Sequence, residues 1–225
     1  MKNVIVIFLL LWTSKTDAQG IQLHFLPSYQ HNTIGIDNWY LLASGDSILF
    51  EGFKCYVSDV CFYMDDRKVY AEKGSYHLLD IEDAGSMNIN VHTNGVIHYN
   101  SIQFNLGIDS AVSASGAHGG DLDPTKGMYW TWQSGYINLK LEGKSNLCNT
   151  RGKRFQFHLG GYAKPDNALQ QVQLRVNEAE DLKIGIAIDD FLQGIDLSKQ
   201  NQVMIPGKEA VGLSKKAASC FKIVQ

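Results

Sequence analysis

The chain has 225 residues, 44% hydrophobic and 19% charged, with a formal net charge of −3. Such a composition supplies a packed core, and the mildly acidic balance with no basic stripe argues against a nucleic-acid partner. Beyond the first twenty residues no apolar run is long enough to cross a bilayer.

In chain order, the first segment reads as a targeting signal. Lys2 gives a positive start, Val4 to Trp12 are apolar, and Thr16 and Ala18 occupy the small-residue positions of a cleavage site. Residues 1–18 are therefore expected to be removed, leaving Gln19 first and an exported product, periplasmic, cell-surface or secreted. Residues 19–225 fit one domain of about 205 residues. Removing the signal leaves 18 basic and 22 acidic residues.

Alternation with period two recurs along the mature chain, which predicts strands. Leu23 and Phe25 alternate first. Phe53, Cys55 and Val57 follow, and the phase shifts at Ser58-Asp59 before Val60, Phe62 and Met64, as at a bulge. Ile102, Phe104, Leu106 and Ile108 make the cleanest strand. Ile137, Leu139 and Leu141 point one way, while Phe155, Phe157 and Leu159 leave His158 on the face opposite them. Val172, Leu174 and Val176, then Leu182 to Ile188, complete the set. Turn signals separate them at Asp65-Asp66, Lys73-Gly74, Asn94-Gly95 and Gly119-Gly120. Short helices are expected at Asp190–Gly194 and Glu209–Ala218. The fold class is all-β: a single-domain antiparallel β-sandwich with long loops and one or two short helices.

Four cysteines in an exported chain permit disulfides. Cys148 and Cys220 are the first expected pair; Cys55 and Cys61 either pair or remain small buried thiols. Seven histidines are present, without HExxH or a close His-x-His, so any metal site must assemble from separate strands. His24, His77 and His158 stand out, each within or beside an alternating strand and opposite apolar neighbours. Trp130 and Trp132 would share one strand face, as a lid on the core, a redox-active indole near a metal, or a platform for a sugar beside Asp121, Asp123 and Gln133. Asp109, Asp121 and Asp123 are candidate calcium ligands, with an Asp-Pro turn start as the plainer role. No nucleophile–base set is visible, and an enzyme is not expected.

Five blocks carry a family resemblance: FNLGIDS at 104–110, GDLDPTKGMYWTWQSGYINLKLEG at 120–143, FQFHLGGY at 155–162, SYHLLD at 75–80 and MIPG at 204–207. Taken in chain order they resemble the MbnP-like family of methanobactin-associated periplasmic proteins, related to surface copper-binding proteins of methane-oxidising bacteria. The resemblance implies an exported copper-binding β-sandwich with one copper, as Cu(I), acting in copper acquisition, storage or delivery. His77 and His158 lie in family blocks and are the first ligand candidates, His24 the third, and Met204 a thioether candidate. It also implies a di-haem partner similar to cytochrome c peroxidases, which would oxidise Trp130 or Trp132 to kynurenine, and outer-membrane copper-uptake proteins as further partners. In at least one relative the oxidised tryptophan stands two residues before a ligand histidine, and no Trp-x-His occurs in this chain. The alternative reading is a carbohydrate- or surface-binding module working through the Trp130/Trp132 face.

Overall fold

The structure, a computed structural model, describes residues 20–42, 44–93, 95–132 and 135–224. The signal reading of residues 1–18, the amide candidate Gln133 and Asn94 of one expected turn lie outside them. The strands are β1 (Gly20–Tyr29), β2 (Asn32–Thr33), β3 (Trp39–Leu41), β4 (Ser47–Met64), β5 (Arg67–Ala71), β6 (Tyr76–Asp80), β7 (Asn88–His92) and β8 (Ser101–Leu106). After helix α1 (Ser110–Ser115) come β9 (Tyr129–Trp130), β10 (Gly135–Ser145), β11 (Arg154–Gly160), β12 (Gln170–Arg175) and β13 (Asp181–Ala187). Helix α2 (Ile188–Leu192), β14 (Gln202–Val203), helix α3 (Lys208–Ala218) and β15 (Phe221–Val224) close the chain.

Two sheets face one core. The smaller runs β15-β13-β1-β2, with β7 also on β1; the larger contains β12-β8-β4-β10-β11-β14, with β3, β5 and β6 on β4 and β9 on β10. Leu23 and Phe25 of β1 and Ile184 and Ile186 of β13 meet Phe53, Cys55 and Val57 of β4 and Phe157 of β11 across the interior. Burial of these alternating side chains is the main stabilising term. The 18-residue β4 is the spine. Along one edge it pairs with β10 and then β8; along the other it meets β3, β6 and β5 in turn. The phase shift at Ser58-Asp59 is a bulge: the register with β8 slips between Ser58 and Cys61, and Asp59 adopts φ 51°, a left-handed conformation that aspartate tolerates.

Three expectations need correction. The sandwich is not wholly antiparallel, since β1–β13 and β11–β14 pair in parallel. These partners lie far apart in sequence, so no tight hairpin imposes an antiparallel course. Ile137 does not share a face with Leu139 and Leu141: the β10–β11 register shifts at that point, and Asn138, the extra residue, accepts from the Ile108 N–H at 3.1 Å. Ile137 thereby joins a second cluster on the sheet's outer face, with Tyr56, Leu78, Ile108, Trp130 and Tyr136. Finally, Cys148 and Cys220 form no bridge. All four cysteines are free and buried, packed as small apolar side chains, and the Cys220 thiol donates to the Lys216 carbonyl. Burial pushes the Cys220 thiol up to about 11 and raises Cys55 and Cys148 as well.

The second cluster exists because residues 108–132 fold back over the outer face of the ten-stranded sheet. Tyr56 Oη donates to the Asp121 carbonyl at 3.0 Å and Tyr136 Oη to the Leu122 carbonyl at 3.0 Å, while the His118 N–H donates to Tyr136 Oη. These bonds fix the segment that carries the two tryptophans.

Candidate functional site

Strand parity decides where each histidine points. His24 alternates with Leu23 and Phe25 of the core, so its imidazole faces out from the five-stranded sheet. There Nδ1 lies 2.6 Å from Asn88 Oδ1 and Nε2 3.3 Å from Asp181. His77 pairs across the ladder with core residue Val57, so it belongs to the inner face at the β6 edge. Its Nε2 lies 2.9 Å from Glu72 Oε2. Burial raises the Glu72 carboxyl, but the hydrogen bond and charge of His77, with the Ser75 hydrogen bond and His92 beside it, together outweigh burial and hold the group below the usual range. His158 alternates with Phe157 and Leu159 and stands on the outer face, opposite Lys140. Only 7% exposed, it donates to Glu142 at 2.9 Å, and that bond, helped by Gln156 and Lys140, holds the Glu142 carboxyl at about 2.

The three imidazoles thus occupy three separate surfaces, each beside its own carboxylate. Among the described residues no group of three or more His, Cys, Asp or Glu side chains is placed to hold one metal ion. The acidic candidates are likewise dispersed into local roles. Asp109 caps α1 through the Ala111 and Val112 N–H groups and accepts from Tyr76 Oη at 2.6 Å. Asp121 accepts from the Leu78 N–H and pairs with Lys126 at 2.6 Å. Asp123 caps the turn at Pro124 through Thr125.

What the fold does assemble is the meeting of three sequence blocks at the β9–β11–β14 edge. Trp130 is 7% exposed and lies over Gly160, where an added Cβ would come within 2.7 Å of the indole and 2.6 Å of the Tyr136 carbonyl oxygen. Gly135 makes the same room for the Tyr162 ring, at 2.9 Å, and Gly161 takes φ 126°. Gly135 and Gly160 are therefore steric requirements of the aromatic packing, while Gly161 is required by its left-handed backbone. Trp132 leans on Trp130 with ring centroids 5.8 Å apart, yet it is 61% exposed. The two indoles, which the sequence put on equal terms, are thus one inside and one outside.

Beneath Trp132 opens a pocket of about 320 Å³, lined further by Tyr162, Lys164, Asp166, Ile205 and Pro206. The MIPG block supplies part of its lining. β14 runs parallel to β11 with Gln202 opposite Gln156 and Val203 opposite Phe157; His158 and Met204 directly follow that last paired rung, Met204 just beyond the end of β14. Sequence reading singled out His158, Met204 and the tryptophans but passed over Tyr162, Lys164 and Asp166. The Gly160-Gly161 pair was the available signal that something large packs close to the backbone there.

A two-sheet β-sandwich whose outer face carries a packed tryptophan lid is the class that this architecture defines. The MbnP family model matches residues 18–205, and the chain belongs to that family. Among solved structures, MbnP from Methylosinus trichosporium is similar in fold, with a TM-score of 0.64 over 86% of each chain at 13% identity. A comparison with curated proteins finds no match.

Proposed function

We propose that this MbnP-family chain is an exported copper-binding protein, non-enzymatic, whose cargo is Cu(I) taken at the β11–β14 edge. The observation that carries the reading is that His158 and Met204 each directly follow Phe157 and Val203, the last paired rung of β11 and β14, in a chain of the MbnP family. Imidazole and thioether suit a soft monovalent ion that accepts low coordination. A site of this kind needs no cluster of three histidines, so the dispersal of His24 and His77 does not count against it. Those two histidines, tied to carboxylates on other surfaces, act structurally in this reading. Should a di-haem oxidase act on the chain, it would reach the exposed Trp132 and not the covered Trp130.

The test is Cu(I) competition against a chromophoric chelator under reducing conditions, using purified protein. One equivalent of Cu(I) is expected, abolished in His158→Ala and weakened at least about tenfold in Met204→Leu, with His77→Ala and His24→Ala unchanged. Full Cu(I) affinity in His158→Ala would overturn the edge site, and no uptake by the unaltered chain would overturn the copper reading itself.

A further inference from the structure

We infer that the pocket under Trp132 is a carbohydrate subsite that takes a single pyranose ring, independent of the copper reading. Three observations carry it. First, Trp132 presents an indole at 61% exposure to a cleft of about 320 Å³, at the small end of the range for small-molecule sites. Its base is rigid, because Trp130 is wedged against Gly160 and Tyr162 against Gly135. Second, the rim carries both a donor and an acceptor. Lys164 and Asp166 have no ion-pair or hydrogen-bond partner among the described residues, unlike Lys126 and Asp121 nearby, which pair at 2.6 Å. Third, Ile205 is 63% exposed and lines the same pocket, which adds an apolar surface to the cleft beside the indole.

A pyranose answers each of these at once. Its C–H face stacks on the electron-rich indole, and its neighbouring hydroxyls both donate to Asp166 and accept from Lys164, where charged partners give the stronger hydrogen bonds. A purely apolar ligand would leave both charges unanswered, and an anion would face Asp166. The ring is thus held by one stacking wall and a two-sign rim.

Intrinsic fluorescence and isothermal titration with methyl pyranosides of the gluco, galacto, manno and N-acetylglucosamino series test the proposal on the whole mature chain. At least one should bind with a dissociation constant of about 1 mM or tighter and shift the tryptophan emission. Trp132→Ala should abolish binding, and Asp166→Asn should weaken it at least about tenfold. Trp39→Ala, which removes another exposed indole (57%) from a distant edge strand, and His158→Ala should bind unchanged. Trp132 is exposed, so its removal leaves the core intact, and circular dichroism confirms folding. Absence of binding by all four sugars, or binding that survives Trp132→Ala, overturns the subsite; copper uptake in the same preparations separates this outcome from failure of the copper reading.

Discussion

Gly160 shows how one missing side chain can shape a surface. Its backbone conformation is open to any residue, yet a methyl group there would sit 2.7 Å from the Trp130 ring and 2.6 Å from the Tyr136 carbonyl oxygen. One of these contacts is with backbone, so the clash cannot be relieved by a rotamer change alone. Gly160→Ala is expected to destabilise the fold by about 1–3 kcal/mol, the usual range for overpacking, and to raise Trp130 exposure, seen as a red shift of emission. Gly119→Ala, with nothing within 4 Å of the added carbon, is the matched control. At this scale the sequence was informative in kind but not in direction. Trp-x-Trp between glycines announced close packing, whereas the split into one buried and one exposed indole depends on β9 ending at Trp130, which no local pattern encodes.

Among elements, the cross-strand contacts of β4, β10 and β11 set how the larger sheet responds to acid. Glu51 of β4 meets Lys144 of β10 at 2.7 Å and Arg154 of β11 at 3.1 Å. Burial raises its carboxyl, but the two cationic hydrogen bonds outweigh this and hold it below the ordinary range. A carboxyl depressed in the folded state contributes stability above its unfolded value, near 4.5, and loses it as pH falls through the folded value. Glu51→Gln should therefore cost about 1 kcal/mol at neutral pH, as partly exposed pairs do, and the variant and parent should converge in urea titrations as pH drops below 4. A gap that persists there would mean the side chain acts by packing alone. Strand existence was legible in the long alternating runs, where Leu23–Phe25, Phe53–Met64, Ile102–Leu106 and Leu182–Ile186 became β1, β4, β8 and β13, but not in short edge strands such as β3, β7 and β15. Two further features escaped. Helix α1 rests on its Asp109 cap rather than on apolar periodicity, and the reversal of Ile137 follows from an asparagine bulge whose partner, the Ile108 N–H, is 30 residues away in sequence. For the same reason the His77–His158 convergence expected from the motif blocks did not arise. The blocks give spacing along the chain, but face is set by ladder register, and register puts the two on opposite sides of one sheet.

Across the whole molecule, a chain with four cysteines has kept every thiol covered. All four are 5% exposed or less, and burial raises the thiol range of Cys55, Cys148 and Cys220, which suppresses the reactive thiolate. Native protein is expected to resist iodoacetamide, and the unfolded chain to take up four labels; two fewer would reveal a bridge. The parallel pairing of β1 with β13 has another consequence. β1 is the central strand of the smaller sheet, yet its parallel neighbour starts at Asp181 and that neighbour's other partner, β15, ends at Val224. The first strand to emerge therefore waits for the last to arrive, and the smaller sheet cannot close around β1 while the C-terminal segment is still being delivered. Such long-range closure slows folding, and it means that this half of the sandwich assembles late, once β13 and β15 have joined a strand laid down far earlier in the chain.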